Sequence, residues 1–167
     1  MSNYAYVATR ARSRRSRLLP AEAYNQLLNL EHAEIARYIQ DLEYRREIDR
    51  YGSTLSGADL IETALVDNLA KDVGDFLSFS KGKLRDILHV YAEKYRIENL
   101  KNIVRGINQN MDKQNLERLV CPINDSDKEL YSKLYDSKTV EDMISSLEGT
   151  SYYNPLKKAL EARNSDS

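Results

Sequence analysis

Apolar residues recur every three or four positions along most of the chain, which is the spacing of an α-helix that buries one face. The first such stretch predicts an amphipathic helix over residues 4–19, and Pro20 ends it because proline disrupts a helix interior. A loop begins at Gly52. Within it, Ser56 and Asp59 predict a capping box at the start of the next helix. The same spacing predicts further helices over residues 24–28, 35–42 and 60–77.

A long helical pattern covers residues 83–108, after a separation at Gly82. Its apolar stripe moves to another side of the helix between Arg96 and Asn99, so we expect a kink or a break there. The pattern therefore predicts an all-α fold, organised as a multi-helix bundle. The remaining predicted elements are a short helix containing Leu116 and Leu119, helices near 126–136, 139–148 and 153–163, and a polar end at residues 164–167.

The order of the helices is repeated along the chain, which indicates a repeat of about 105 residues. Tyr131 lies 107 positions after Tyr24, and Val140 lies 105 positions after Ile35, each within a similar apolar pattern. Chance agreement between amphipathic helices is the alternative explanation. The predicted units are a first helical repeat unit at residues 1–121 and the start of a second unit, with a polar C-terminal end, at residues 122–167.

The composition excludes several classes of protein. Six Gly and three Pro are too few for a sandwich of many short strands, and 41% hydrophobic with 31% charged residues is typical of a globular chain. One cysteine, Cys121, cannot form an internal disulfide, and together with only His32 and His89 it cannot complete a structural zinc site. No apolar run approaches the roughly 18 residues of a membrane span.

Charge is distributed unevenly although the net charge is only -1. Residues 1–21 hold five arginines and no acid, whereas residues 40–75 hold nine acids against four bases. This asymmetry indicates either internal pairing of the two segments or two surfaces for different partners. A nucleic-acid surface is less favoured, because no stacking aromatics or reading motif accompany the basic segment. The five arginines are Arg10, Arg12, Arg14, Arg15 and Arg17.

No motif in the sequence indicates catalysis. Gly82 and Lys83 are followed by Leu84 rather than by Ser or Thr, so they do not form a phosphate-binding loop. The two histidines have no neighbouring residues that identify a catalytic triad. Acidic pairs such as Asp72 and Asp75 are interpreted as surface charge. We therefore predict a helical interaction protein that is not an enzyme and needs no cofactor or metal.

Three stretches of the chain together carry a recognisable pattern. They are Tyr4–Val7 with Arg10–Arg12 and Ser16–Leu19; Tyr95–Lys101 with Ile103–Arg105; and Thr139–Glu141 with Leu147–Tyr153, Pro155 and Leu156. Their order and spacing extend over nearly the whole chain, and the second stretch is the most specific of the three. Together the stretches resemble the C subunit of archaeal-type (A-type) and bacterial V-type ATP synthases, a relative of the d subunit of eukaryotic vacuolar ATPases.

The resemblance implies a funnel of three similar helical units, of which this chain resembles the N-terminal half. It also implies a central-rotor protein without a catalytic centre, a small-molecule substrate or a nucleic-acid partner. Such a protein lies on the cytoplasmic face and is peripheral to the membrane through the proteolipid ring. It connects that ring to the D and F subunits of the central stalk and transmits torque for ATP synthesis or ion pumping.

Within this family context, we expect either the N-terminal arginine set or the acidic segment 40–75 to face a partner. At the expected helix break, Glu98 and Asn99 are predicted to satisfy free backbone groups; the alternative is contact with the stalk. The competing functional hypothesis is a free-standing helical adaptor or an arginine-rich nucleic-acid-binding module.

Overall fold

The computed structural model describes residues 3–165, with side chains described as far as Arg163, and that range is all-helical with no strand. The all-α prediction is therefore confirmed. The predicted polar end extends beyond this range, since Asp166 and Ser167 lie outside the described residues. The helices are α1 (Tyr4–Arg15), α2 (Ala21–Leu27), α3 (His32–Gln40), α4 (Arg45–Tyr51), α5 (Gly57–Phe79), α6 (Lys83–Asn108), α7 (Lys113–Arg118), α8 (Asp125–Leu134), α9 (Val140–Ser145) and α10 (Tyr153–Ser165).

The chain divides into two compact units, Met1–Ala92 and Glu93–Ser167. These two units are defined by how the chain packs in space, whereas the predicted boundary between residues 121 and 122 marks the end of a sequence repeat. The repeat and the three-unit funnel stay predictions. None of the helices in the described range is long and apolar enough to cross a membrane.

The core of the first unit forms where α3, α4 and α5 pack together. Its buried residues are mostly small or branched aliphatic side chains, and tyrosines surround them. Burial of this apolar surface is the main source of stability for the three helices. The buried cluster consists of Ala36, Ile39, Ile48, Leu60 and Ala64.

A capping box stabilises the start of α3 rather than the start of α5. At α3, the Glu31 side chain accepts from the Glu34 amide, while the Glu31 amide donates to the Glu34 carboxylate at 3.0 Å. The capping box predicted at Ser56 and Asp59 is wrong, because the Ser56 side chain accepts no capping hydrogen bond. Gly57 follows with a φ of 61°, a left-handed conformation that glycine adopts without steric cost.

The core of the second unit lies against the C-terminal half of α6 and includes residues from α7, α8 and α9. Gly106 permits a close approach at α7, since a Cβ at this position would lie 2.3 Å from the Leu116 Cδ2 atom. The buried cluster consists of Leu100, Ile103, Ile107, Leu116, Val120, Tyr131, Leu134, Met143 and Leu147.

Of the kink or break expected at Arg96–Asn99, the break is wrong, because α6 continues without interruption from Lys83 to Asn108, and the kink stays a prediction. The core-facing positions of α6 include Ala92, Asn99 and Ile103, all of which are buried. Their spacing is regular once Asn99 is counted among them. The apolar stripe changed sides in the sequence pattern because a polar side chain occupies one core position.

Candidate functional site

Helix α1 lies along the C-terminal half of α5 in the first unit. The Asn3 side chain fixes the start of this contact: its Nδ2 donates to the Phe79 carbonyl at 2.7 Å, and its Oδ1 accepts from the Lys81 amide at 3.0 Å. Val7 is the one buried residue of α1. Most of the contact between the two helices is therefore polar or aromatic.

Two arginines of α1 stack on aromatic rings. The Arg10 guanidinium lies 5.2 Å from the centroids of both Tyr6 and Phe79, and the Arg14 guanidinium lies 5.2 Å from the Phe76 centroid. Tyr6 and Phe79 also meet edge to face at 5.8 Å. Cations attract the negative face of a ring, so these contacts stabilise the position of α1.

Two arginines from the N-terminal segment also pair with carboxylates of the acidic segment. The Arg14 side chain binds Asp72 and also Asp75, with 2.6 Å between the Arg14 Nη2 and Asp75 Oδ2 atoms. The Arg17 Nη1 atom lies 3.1 Å from the Glu43 carboxylate. Of the two explanations for the charge asymmetry, internal pairing accounts for much of it.

Arg12 and Arg15 lie on the opposite side of α1 and are exposed. Neither side chain makes a hydrogen bond or an ion pair with any residue in the described part of the chain. The predicted interface set therefore separates into three arginines that bind within the first unit and two that face outward. This division could not be read from the sequence, because the helical spacing does not show which face α5 covers.

Most acids of the segment 40–75 have a polar partner or are buried. Five of its nine acids form ion pairs and Glu47 is buried, with 3% of its surface exposed. Asp49 accepts a hydrogen bond from Gln40 at 2.6 Å. Only Asp59 and Glu62 are exposed acids of this segment with no polar partner in the described range. The five acids in ion pairs are Asp41, Glu43, Asp67, Asp72 and Asp75.

In the second unit, Asn99 connects α6 to the segment between α7 and α8. Its Nδ2 donates to the Cys121 carbonyl at 2.9 Å, and its Oδ1 accepts from the Cys121 amide at 3.2 Å. The Tyr131 hydroxyl lies 3.5 Å from the same Nδ2. Asn99 thus has a structural role between elements and does not satisfy the backbone of a broken helix.

Glu98 lies on the exposed side of α6, away from these contacts. Its carboxylate accepts from the Lys101 ammonium at 2.7 Å. This hydrogen bond lowers the pKa of the Glu98 side chain. Since α6 is continuous, Glu98 does not satisfy a helix end either.

The sequence pattern did not single out Arg96 and Asp127, which form a largely buried ion pair in the second unit. The Arg96 Nε donates to the Asp127 Oδ1 at 2.9 Å, and the two side chains are only 13% and 9% exposed. Asp127 also accepts from the Ile123 amide at 3.3 Å. The signal available in the sequence was an arginine one turn before Asn99, on the inward-facing part of α6.

Glu93 extends the same network to the start of α10. The Arg96 Nη1 donates to the Glu93 Oε1 at 2.6 Å, and the Tyr152 hydroxyl donates to the Glu93 Oε2 at 2.6 Å. Charge-assisted hydrogen bonds of this kind are stronger and more directional than neutral ones. The network therefore fixes α6, α8 and the α10 end of the second unit in one arrangement.

Comparison with known proteins identifies the family. Residues 7–167 match the family model described as ATP synthase (C/AC39) subunit. The chain belongs to this family. Two similar relatives are each named as the C subunit of an A-type ATP synthase: one from Haloferax volcanii is 38% identical over 160 residues, and one from Archaeoglobus fulgidus is 36% identical over 155 residues.

The chain spans just under half the length of these relatives. The alignment covers 96% of this chain and 46% of the Haloferax volcanii protein, and 93% of this chain and 45% of the Archaeoglobus fulgidus protein. The family prediction is thus confirmed. The family model and both relatives are named as subunits of an ATP synthase, which agrees with the prediction of a subunit of such a complex.

The buried polar contacts found in this member of the C/AC39 family hold helices together. Among the residues that the structure describes, no group of three or more His, Cys, Asp or Glu side chains is arranged to hold a metal ion. The carboxylates of Asp72 and Asp75 are engaged by Arg14. The polar groups of both units serve as contacts between elements.

Because two tyrosines are wholly or partly buried, the second unit is expected to lose stability at high pH. Burial raises the pKa of the Tyr131 hydroxyl from 10.0 to about 12, and burial together with the Glu93 hydrogen bond also raises the pKa of Tyr152. A raised folded-state pKa gives stability that is fully present below pH 10 and is lost as the pH rises through about 12. Urea unfolding at several pH values is expected to show this loss.

Tyrosinate absorbance of the folded chain provides the control for this prediction. In the folded chain, the Tyr131 hydroxyl should ionise only as the pH approaches about 12. Simultaneous ionisation of every tyrosine near pH 10 in a chain that remains helical would contradict the prediction.

Proposed function

We propose that this chain belongs to a central-rotor protein that connects the membrane proteolipid ring to the D and F subunits of the central stalk. The protein transmits torque between ion flow and ATP turnover. It is peripheral to the membrane, on the cytoplasmic face, and contacts the bilayer complex through the ring. The match of residues 7–167 to the ATP synthase family is the observation that carries this proposal.

A part that transmits torque must resist deformation, and the second unit has features that supply this stiffness. Its part of α6, residues 93–108, is helical without interruption. The Arg96 network fixes its orientation toward α8 and α10 through several directional contacts. Close-packed protein interiors have low compressibility, so a force applied to such a unit is transmitted rather than absorbed.

A connecting protein must also present surfaces to its neighbours, and the outer side of α1 is a suitable one. Arg12 and Arg15 are one turn apart, exposed and without polar partners in the described range. Exposed charge of one sign accelerates association with an oppositely charged surface and gives it orientation. We therefore assign the docking role within the arginine set to this pair.

The variant that tests this assignment reverses both outward charges, Arg12→Glu with Arg15→Glu. Binding to isolated proteolipid ring and to the complex of the D and F subunits is measured separately by calorimetry. Affinity for one of the two partners is expected to fall at least about tenfold, because like charges then face each other across the interface. The fold of the variant is verified by its thermal unfolding.

The matched control is Lys133→Glu with Lys158→Glu, which makes the same change of net charge at two exposed positions of the second unit. It should leave binding nearly unchanged. If the Arg12 and Arg15 variant binds both partners as the unmodified chain does, the assignment of the docking pair is wrong.

The competing nucleic-acid hypothesis depends on the five N-terminal arginines, and three of them have partners within the first unit. Arg10, Arg14 and Arg17 are engaged by rings and carboxylates of the first unit. Two outward arginines remain from the set of five. Strongly salt-dependent binding of DNA or RNA by the chain would nevertheless favour that function over the rotor role.

A further inference from the structure

Helix α1 differs from α3, α4 and α5 of the first unit in how it is attached. Helices α3, α4 and α5 share an apolar cluster, whereas α1 buries only Val7. Apart from the edge-to-face contact of Tyr6 with Phe79, its remaining contacts are ion pairs, cation–ring contacts and the two hydrogen bonds of Asn3. These polar contacts are the kind that water and salt can replace.

The surface of α5 that holds α1 has a composition suited to guanidinium groups. Its four side chains lie at spacings of three and four, so they share one face of the helix. Two carboxylates engage the two terminal nitrogens of Arg14, and two rings lie beneath Arg10 and Arg14. We call this set the arginine receptor; it consists of Asp72, Asp75, Phe76 and Phe79.

We propose that α1 is a detachable helix, held on the arginine receptor of α5 by polar contacts, and that it separates while the rest of the first unit stays folded. The ligand class of the receptor is a guanidinium-bearing helix, and α1 is its resident ligand. This inference rests on contacts within the first unit and does not depend on the proposed rotor function.

Three features favour detachment of α1 alone. The Arg14, Asp72 and Asp75 side chains remain 26%, 37% and 40% exposed, so water reaches the ion pairs before separation. The Lys71 Nζ lies 3.6 Å from the Asp75 carboxylate and can pair with it after Arg14 departs. Separation also leaves the apolar cluster of α3, α4 and α5 intact.

Detachment can be observed through the backbone amides of α1. A free helix of 12 residues is only marginally stable in water, so its hydrogen bonds open once α5 no longer supports it. Hydrogen–deuterium exchange of the α1 amides therefore reports the separated state. Exchange at α3, α4 and α5 reports unfolding of the rest of the unit.

The experiment measures exchange by mass spectrometry on the whole chain at about 0.05 M and about 1 M NaCl, concentrations between which the Debye length falls from more than about 10 Å to about 3 Å. The α1 amides should exchange about five to thirty times faster at the higher concentration. Exchange of the α3, α4 and α5 amides should change little, since screening does not remove apolar packing.

Two single variants make the test specific for the receptor. Arg14→Gln should increase α1 exchange at low salt and remove most of its salt dependence, because it deletes the contacts to Asp72 and Asp75. Arg12→Gln removes the same charge from the exposed side of α1 and should behave like the unmodified chain.

The salt series on the unmodified chain tests the detachment of α1 even if the Arg14→Gln variant also unfolds in α3, α4 and α5. Exchange of α1 that does not respond to salt would overturn the proposal. So would exchange that accelerates only together with α3, α4 and α5, because the helix would then separate only when the whole unit unfolds.

Discussion

Replacing Asp127 with Ala should lower the free energy of unfolding by about 3–5 kcal/mol, the cost of breaking a buried ion pair by removing one partner. The Arg96 side chain is 13% exposed and donates its Nε to Asp127. Without that carboxylate, the guanidinium charge remains inside the second unit with only Glu93 to balance it. The Ile123 amide loses its acceptor as well. Urea unfolding followed by circular dichroism measures the loss.

Asp125→Ala is the matched control for this prediction, since Asp125 is also in the first turn of α8 but pairs with Lys128 at the surface. Ion pairs between exposed side chains contribute little, so this variant should be much less affected. Equal effects of the two substitutions would show that the loss comes from the helix start rather than from the buried pair.

Replacing Asn99 with Ala is expected to have the second largest effect, about 1–3 kcal/mol in total, because the partly buried carbonyl and amide of Cys121 lose their partner. The Asn99 amide serves both the carbonyl and the N–H of Cys121. No side-chain atom of Ala reaches either group. The melting temperature should therefore fall, while affinity for the stalk proteins changes less, because Asn99 is buried and only 7% exposed.

Asn102→Ala is the corresponding control on the same helix. The Asn102 Nδ2 donates a single hydrogen bond to the Leu119 carbonyl at 3.0 Å, at an exposed position. Its loss should cost no more than about 1 kcal/mol, because water can replace the donor. An Asn99 variant that melts like the Asn102 variant, but binds the stalk more weakly, would support direct stalk contact instead.

The helical architecture could be predicted because it depends on local periodicity. The spacing of apolar residues located most of the helices, and Gly82 correctly separated α5 from α6. The Glu31 capping box was missed because glutamate is not among the preferred N-cap residues. Local sequence thus determines where helices form better than it determines how their ends are satisfied.

The polar contacts between helices could not be predicted in the same way. The sequence predicts that Asn99 satisfies free backbone groups at a helix break, because a polar side chain at a core position interrupts the apolar stripe. Its partner Cys121 is 22 positions away, and Arg14 and Asp72 are 58 positions apart. Pairings over such distances depend on the packing of whole helices, which the period of a single helix does not specify.

The central claim is that this chain is part of a rotor protein that binds the central stalk. Calorimetric titration of the chain with the purified D and F subunits, at low and high salt, tests it most directly, and a full-length relative of the same family with its own stalk proteins serves as the positive control. We predict saturable binding that weakens at high salt, since exposed charges contribute to docking. The claim would be contradicted if the folded chain showed no binding at either salt concentration while the full-length control bound.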